Sequence, residues 1–297
     1  MKRDATDQEG LSGGTGTVTG LRDLNSAPLS YWAGVYESFE AAGGSDAAFD
    51  KAFWRQRVLQ VLSDHQAGVH HLQNDELLGW PGLNPAPLIA ASVYADRLRR
   101  ERNMPIRILD FGGGAGIGYV QLRTSLPSHV RLDYRVVERR GICDIGQAHF
   151  RGNAEIGFHE SLAMATRDAC GIDIALAASA LHYMNDWQGL LSSFAALDPR
   201  WILLLDVPAG DIPASFVTVQ MYHGDRIPVW FWRMEHLVRT IEQLGYALTH
   251  RALRRWTGQA GESPPMDGLP TTHRIAGFCD LSFAAIRERR QPGIPDV

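Results

Sequence analysis

The chain has few cysteines, no long apolar segment and no excess of basic residues. Three cysteines, Cys143, Cys170 and Cys279, are too few and too scattered among 297 residues for a disulfide framework, which is typical of a reducing compartment. No apolar segment reaches the roughly 20 residues of a transmembrane helix, and none follows Lys2 and Arg3 as it would in a secretory signal. We therefore expect a cytoplasmic protein that does not bind membranes.

The charge balance also excludes several classes of protein. The chain has 29 Lys and Arg against 33 Asp and Glu, a net charge of -4, so binding to nucleic acid is not the default expectation. Eleven histidines are present, but neither a Cys-x-x-Cys nor a His-Glu-x-x-His spacing occurs, and we expect no metal site. The content of 45% hydrophobic and 21% charged residues is ordinary for a globular protein.

Composition and periodicity divide the chain into four parts. Residues 1–29 are rich in Gly, Ser, Thr and Asp and predict a disordered tail. Residues 30–103 predict a helical N-terminal cap, with one apolar helix face over 46–63. Residues 104–286 predict the main domain, and 287–297 a C-terminal tail.

Short apolar segments alternate with helical periodicity in the main domain. Strands are predicted at 106–110, 134–138, 156–158, 172–178, 201–207, about 246–254 and about 274–284. Helices are predicted at 117–126, 142–151, 161–168, 187–197 and 234–244. This alternation predicts an α/β fold with a doubly wound, mostly parallel sheet that is covered on both faces.

A glycine-rich turn follows the first of these strands. Five glycines stand within residues 112–118, between a strand and a helix, where an open α/β sheet binds its ligand. The dinucleotide pattern G-x-G-x-x-G fails, because its last position falls on Ile117 or Tyr119. The pattern acidic-x-G-x-G-x-G is met at Asp110, Gly112, Gly114 and Gly116. Glu138, at the end of the second strand, can accept hydrogen bonds from both ribose hydroxyls of an adenosyl group.

Further elements of the sequence carry a resemblance to a known family. They are Trp32-x-Gly34-x-Tyr36, Asp110-Phe-Gly-Gly-Gly-Ala-Gly, Val136-Val-Glu138, Ile145-Gly146, Leu205-Asp206, Thr218-Val-Gln220 and Pro228-Val-Trp230. In this order they resemble a family of methyltransferases that use S-adenosylmethionine (SAM) and are often found with bacterial surface-polysaccharide or natural-product genes. The resemblance implies a Rossmann-like, seven-stranded class I methyltransferase sheet, with SAM as cofactor, S-adenosylhomocysteine (SAH) as product and no metal.

The resemblance also implies roles for individual residues in cofactor binding. Glu138 would hold the ribose, and Glu160 would lie near the adenine amino group. Ser161 would flank the adenine ring, and Ser179 would lie near the methionine part of the cofactor.

The acceptor side is less defined by the sequence. The candidates for a general base are His182, Asp206 and His223, and we favour His182 because a histidine titrates near neutral pH. His182 as a buried, pocket-shaping histidine and Asp206 as a loop brace remain alternatives. Residues 209–232 predict an acceptor lid, and four side chains are predicted to bind the acceptor: Tyr183, Gln220, Tyr222 and Trp230.

The acceptor itself is predicted only as a class. No Asn-Pro-Pro-Tyr element follows the fourth strand, which favours a small-molecule or glycan acceptor over DNA. Two other functions stay open: an NAD-dependent oxidoreductase, and a degenerate methyltransferase fold that serves as a non-catalytic partner. A homodimer also stays open.

Overall fold

The computed structural model describes most of the chain from residue 30 onward. The described residues are 30–66, 88–89, 104–222, 224–254 and 264–286. The two predicted tails, residues 1–29 and 287–297, lie outside them, as does most of the predicted N-terminal cap after residue 66.

The described strands form two sheets. Their bounds are β1 (Ser30–Tyr36), β2 (Ile106–Phe111), β3 (Leu132–Val137), β4 (Ile156–His159), β5 (Ile174–Ala178), β6 (Trp201–Val207), β7 (Ala209–Gly210), β8 (Phe216–Tyr222), β9 (Asp225–Arg233), β10 (Tyr246–Arg254) and β11 (Phe278–Ala285). The central strands β2, β5 and β6 bury side chains on both faces, which is why their sequences are almost continuously apolar.

The larger sheet has the strand order β10-β11-β6-β5-β2-β3-β4. Strands β2 to β6 are parallel to one another, whereas β11 is antiparallel to both β6 and β10. The direction of winding reverses between β2 and β5, so the carboxyl end of β2 lies at the point where such sheets bind ligands. The predicted Rossmann-like α/β sheet is confirmed.

The bounds of the helices are α1 (Phe39–Ala42), α2 (Ala52–Gln66), α3 (Ile117–Ser125), α4 (Arg140–His149), α5 (Leu162–Thr166), α6 (Trp187–Ala196) and α7 (Met234–Gln243). Helices α3 to α7 cover the two faces of the larger sheet, whereas α1 packs on the smaller sheet and α2 packs on α3 and α4. Phe194 of α6 and Leu237 of α7 belong to the core on one face, and Leu122 of α3 belongs to the core on the other. Helix α2 packs its Val58 and Leu62 against Ala115 of the glycine turn.

The smaller sheet has the order β1-β8-β9-β7 and corrects the prediction of an all-helical cap. Residues 30–36 form a strand because β1 pairs with the edge of β8 and buries Trp32, with Trp32 opposite Gln220. Two of the sequence elements that carry the family resemblance therefore lie side by side. The segment 209–232, predicted as a lid, supplies strands β7, β8 and β9 of this sheet.

The predicted helix over 46–63 is divided in two. A 3₁₀ turn spans Asp46–Asp50, and α2 begins only at Ala52. The break lies at Lys51, whose backbone is extended, with φ at -73° and ψ at 153°. The prediction of one continuous helix was wrong because periodicity does not detect this break.

Candidate active site

Three glycines shape the turn between β2 and α3, residues 112–116, which we call the cofactor turn. Gly112, Gly114 and Gly116 have positive φ values of 71°, 58° and 92°. A Cβ on Gly112 would lie 2.5 Å from the Cβ of Ala180, so this close approach requires glycine. A Cβ on Gly114 would meet no atom of the described residues within 4 Å, so the turn is open there.

Glu138 follows β3 and faces the cofactor turn. Its Oε2 accepts the backbone N–H of Arg139 at 2.7 Å, and the backbone N–H of Gly114 also donates to its carboxylate. Burial raises the pKa of Glu138 above its usual value, while these two donors oppose that change. The structure thus places Glu138, the residue predicted to bind the ribose, at the glycine turn.

Asp110 lies buried under the same turn. The hydroxyl of Tyr134 donates to its Oδ2 at 2.5 Å, and a Cβ on Gly113 would collide with this carboxyl group. Its Oδ1 is buried and has no hydrogen-bond partner within the described residues. Burial raises the pKa of Asp110 to about 7, against the opposing effect of the Tyr134 hydrogen bond. The site therefore contains a buried carboxyl group of which only one oxygen accepts a hydrogen bond from the described residues.

Ser179 and Asp206 end the neighbouring strands β5 and β6 with unusual backbones. Their φ values are 51° and 55°, in the left-handed region that few residues other than glycine adopt and that is found most often at functional sites. Burial raises the pKa of Asp206 to about 6, although a hydrogen bond from the Ser179 side chain lowers it. The backbone N–H of Asp206 donates to Asp280 Oδ1 at 2.9 Å, which fixes the position of the strand end.

His182 lies beneath the site, in the core. It is 3% exposed, and its ring centroid lies 4.2 Å from that of Tyr183 and 6.3 Å from that of Phe278. Burial lowers the pKa of His182 to about 3, and its Nδ1 has no partner among the residues that the structure describes. Such a ring is a weak proton acceptor at neutral pH, which agrees with the pocket-shaping alternative.

Hydrogen bonding and strand register link the predicted acceptor-binding residues Tyr183, Gln220 and Tyr222. The hydroxyl of Tyr183 donates to Gln220 Oε1 at 2.8 Å, and Tyr222 follows Gln220 by two positions on β8. Burial raises the pKa of Tyr183 strongly, and the negative charges of Asp206 and Tyr222 add to this effect.

Trp230 has a different environment from these three residues. Its Nε1 donates to the carbonyl oxygen of Asn185 at 3.2 Å, and its ring lies 6.0 Å from that of Phe39 on α1. Trp232, two positions later, is fully buried in the core. Trp230 remains partly exposed, so the two tryptophans differ in burial as the sequence predicted. The role of Trp230 in binding an acceptor stays a prediction.

The remaining predicted residues are less informative. Glu160 is exposed, and Ser161 caps helix α5, with its Oγ accepting the N–H of Met164 at 3.2 Å. These two placements do not test the adenine-binding roles that the family resemblance implies. His223, the third candidate base, lies outside the described residues.

Sequence analysis missed a segment that reaches this site from the N-terminal side. Residues 44–51, which we call the strap, include the 3₁₀ turn at Asp46–Asp50. Arg139, beside Glu138, donates to Asp50 Oδ2 at 2.6 Å and also pairs with Asp46. The guanidinium of Arg139 lies 5.9 Å from the ring centroid of Phe49. No short motif could reveal these contacts, because the partners lie about ninety positions apart in the sequence.

Two searches of the described residues concern metals and membranes. No group of three or more His, Cys, Asp or Glu side chains among them could hold a metal ion. None of the helices described here is long and apolar enough to cross a membrane.

Comparison with known proteins gives similarity of structure only. No protein family matches the chain, and no curated protein sequence matches it. The methyltransferase in the complex with the Trm112 methyltransferase activator from Haloferax volcanii is 12% identical, with a TM-score of 0.48; the alignment covers 82% of this chain and 97% of that one. Magnesium protoporphyrin IX methyltransferase from Synechocystis PCC 6803 with bound SAH is 11% identical, with a TM-score of 0.46; 80% and 96% are covered.

A third similar structure contains both a cofactor product and a substrate. It is 1,6-didemethyltoxoflavin-N1-methyltransferase from Burkholderia thailandensis, with bound 1,6-didemethyltoxoflavin and SAH. It is 16% identical, with a TM-score of 0.41, and the alignment covers 82% of this chain and 93% of that one. Because these scores are below 0.5, we assign the fold from the strand order and register of this chain.

Proposed function

We propose that the chain is a class I, SAM-dependent methyltransferase that releases SAH. The observation that carries the proposal is a set of three carboxylates, Asp110, Glu138 and Asp206, around an open glycine turn at the carboxyl edge of a parallel sheet. Burial raises the pKa of each one, and none forms an ion pair within the described residues. Such a site favours a ligand that brings positive charge and hydrogen-bond donors.

SAM fits these residues better than a dinucleotide does. SAM carries a sulfonium, an ammonium and two ribose hydroxyls, whereas NAD carries an anionic pyrophosphate. Glu138 would accept hydrogen bonds from the ribose, as in other nucleotide-binding α/β sheets. The unsatisfied Oδ1 of Asp110 offers an acceptor beneath the turn, and the open position at Gly114 leaves room for close approach. Three carboxylates would instead repel a pyrophosphate.

The protein contributes orientation and one proton acceptor. When bound, SAM supplies an electrophilic methyl carbon: the acceptor's lone pair forms the new bond, and the sulfur keeps the electron pair of the broken C–S bond. Asp206 would accept the proton that a hydroxyl group of the acceptor loses. The pKa of Asp206, about 6, is close to neutral pH, and this residue lies near the end of β6, next to Ser179. His182, which the sequence favours, would instead hold Tyr183 in place through their ring contact.

The neighbouring side chains support a small-molecule or glycan acceptor. Tyr183, Gln220 and Tyr222 offer hydroxyl, amide and ring surface to such a molecule. This agrees with the family resemblance, which places such enzymes in the biosynthesis of bacterial surface polysaccharides or natural products.

Ligand binding tests the proposal directly. A ligand that binds only the folded state stabilises it by about 2.7 kcal/mol at a hundredfold excess over its dissociation constant. We expect SAH to raise the melting temperature and NADH to leave it unchanged. A shift with NADH and none with SAH would support the oxidoreductase and contradict our proposal. Binding of SAH without methyl transfer to any acceptor would indicate a non-catalytic protein.

A further inference from the structure

The strap is held on two sides. On one side, residues near both of its ends contact strand β9: the backbone N–H of Ser45 donates to the carbonyl oxygen of Arg226 at 2.9 Å, and Lys51 Nζ contacts both carboxylate oxygens of Asp225, at 2.5 and 2.7 Å. On the other side, Asp46 and Asp50 pair with Arg139. The strap therefore reaches from strand β9 of the smaller sheet to the residue beside Glu138.

Four aromatic rings meet beneath the strap, and we call them the ring cluster: Phe49, Trp54, Tyr183 and Tyr222. The ring of Phe49 lies 4.9 Å from that of Tyr183 and 5.1 Å from that of Trp54, both edge to face. Trp54 lies 6.3 Å from Tyr222, also edge to face. The four rings come from the strap, helix α2, the loop after β5 and strand β8, so the fold assembles them at one place.

A second aromatic cluster in the same molecule differs from the ring cluster in its exposure to solvent. Trp32, Phe216, Phe231 and Phe278 make similar ring contacts in the core, and their exposures lie between 0% and 8%. All four rings of the ring cluster keep partly exposed surface although they pack on one another. Aromatic surface that packs into a cluster and stays partly exposed to solvent is typical of a binding site.

The ring cluster also lies next to the proposed cofactor site. Tyr183 belongs to the 3₁₀ turn that follows β5, four positions after Ser179, and Arg139, the neighbour of Glu138, lies 5.9 Å from the ring centroid of Phe49. An acceptor atom has to be held in line with the methyl–sulfur bond of SAM, so the acceptor site must adjoin the cofactor site.

We propose that the strap and the ring cluster form the acceptor site, that this site takes a flat aromatic ring, and that Phe49 is its specificity-determining residue. The inference rests on the proposed function and narrows its acceptor class. A flat ring can stack on one side chain and meet the edges of others with its whole area, whereas a puckered sugar ring makes less contact with aromatic faces. The strap's ion pairs hold Phe49 against Tyr183 and Trp54.

Two small probes of similar composition test this inference by calorimetry on the protein saturated with SAH. The first, 3,4-dihydroxybenzoate, has a flat ring, and the second, quinate, has a puckered one. Both probes carry a carboxylate, which Arg57 can attract, because the positive charge of Arg57 acts on Tyr222 of the cluster. We expect the flat probe to bind at millimolar concentration or below and at least about tenfold more tightly than quinate.

Variants assign the effect to Phe49. Phe49→Ala is expected to weaken binding of the flat probe about three- to tenfold, and Phe49→Tyr to restore it. Leu59→Ala removes a side chain that is 42% exposed on the neighbouring helix α2, and it should bind the probe as the wild type does. Melting temperatures show whether each variant is folded.

The contrary outcomes are equally distinct. Binding of neither probe, or of quinate as tightly as the flat probe, overturns the acceptor class. An unchanged affinity in folded Phe49→Ala overturns the role of Phe49. If SAH itself does not bind, the proposed function fails, and the same titrations without SAH still report on the ring cluster.

Discussion

The carboxylates around the cofactor turn and those around the strap differ in what neutralises them. Asp110, Glu138 and Asp206 are desolvated, and none forms an ion pair in the described part of the chain. Asp46 and Asp50 lie at the surface, with side chains 57% and 58% exposed, and both pair with Arg139. The protein pairs the second set with a guanidinium, whereas it gives the first set hydrogen-bond donors and no ion pair among the described residues.

This difference is the one expected between a binding site and a structural contact. Buried carboxylates that lack an ion pair cost stability, and pKa values shifted by burial cluster at functional sites. Exposed ion pairs contribute little on their own, typically below about 1 kcal/mol. Variants at the two sets should therefore differ in both the size and the kind of their effects.

The largest effect is expected at Asp206. Asp206→Asn keeps the size of the side chain and removes the proton acceptor, so kcat should fall by about 10²–10⁴ with SAH affinity almost unchanged. In the wild type, kcat/KM should rise with pH through about 6, where Asp206 loses its proton. The pH profile of methyl transfer by the two proteins checks both points.

His182 provides the contrast for that experiment. With its pKa lowered to about 3, His182 stays neutral through the working range, so His182→Asn should keep the rise near pH 6. Loss of this rise in His182→Asn, together with its retention in Asp206→Asn, would reverse the assignment of the base.

The second effect concerns stability and Asp110. Because the pKa of Asp110 is raised to about 7, the folded protein holds this proton more tightly than the unfolded chain does. The free energy of unfolding should then fall as pH rises from about 4 through about 7, by at most about 4 kcal/mol. Asp110→Asn should reduce this fall, as measured by urea unfolding at pH 5 and pH 8. Equal pH dependence in both proteins would show that Asp110 is not the buried charge.

Glu138 should show a smaller effect, confined to the cofactor. Glu138→Ala removes two hydrogen bonds to a charged acceptor, each worth about 1.5–3 kcal/mol, so SAH affinity should fall at least tenfold. Glu155→Ala is the matched control, because Glu155 accepts from Tyr119, from Arg123 and from the N–H of Leu132 at the start of β3, whereas Glu138 follows the end of that strand. If the two variants bind SAH equally well, Glu138 does not hold the ribose.

The strap carboxylates should show the smallest effect. Asp46→Asn combined with Asp50→Asn should lower the free energy of unfolding by less than about 1 kcal/mol and leave SAH affinity within a few-fold. The effect should shrink further at high salt, since exposed pairs are screened. A loss of SAH affinity as large as that in Glu138→Ala would contradict the distinction between the two sets.

The cofactor side could be predicted from the sequence because its signals are local. The turn residues Gly112, Gly114 and Gly116 lie within one short segment, and Glu138 ends the next strand along the chain. Parallel strands bring such ends to one edge of the sheet, so the spacing alone predicts the meeting of Glu138 with Gly114. The seven strands of the larger sheet were predicted to within a few residues, because its central parallel strands have almost continuous apolar sequences. The strands of the smaller sheet were not predicted.

The acceptor side could not be predicted because its contacts join distant segments. Phe49 was assigned to a helix face, and only the extended backbone at Lys51 and the pair with Asp225 turn it toward Tyr183. The burial of His182 depends on Phe278 of β11, about a hundred positions away, so its residue type suggested a base that its surroundings disfavour.

A crystal structure of the protein grown with SAH tests the central claim most directly. We predict that SAH lies over the cofactor turn, with its ribose oxygens within about 2.6–3.2 Å of the Glu138 carboxylate. SAH bound elsewhere, or a ribose that contacts neither Glu138 nor the turn from Gly112 to Gly116, would contradict the assignment of this site.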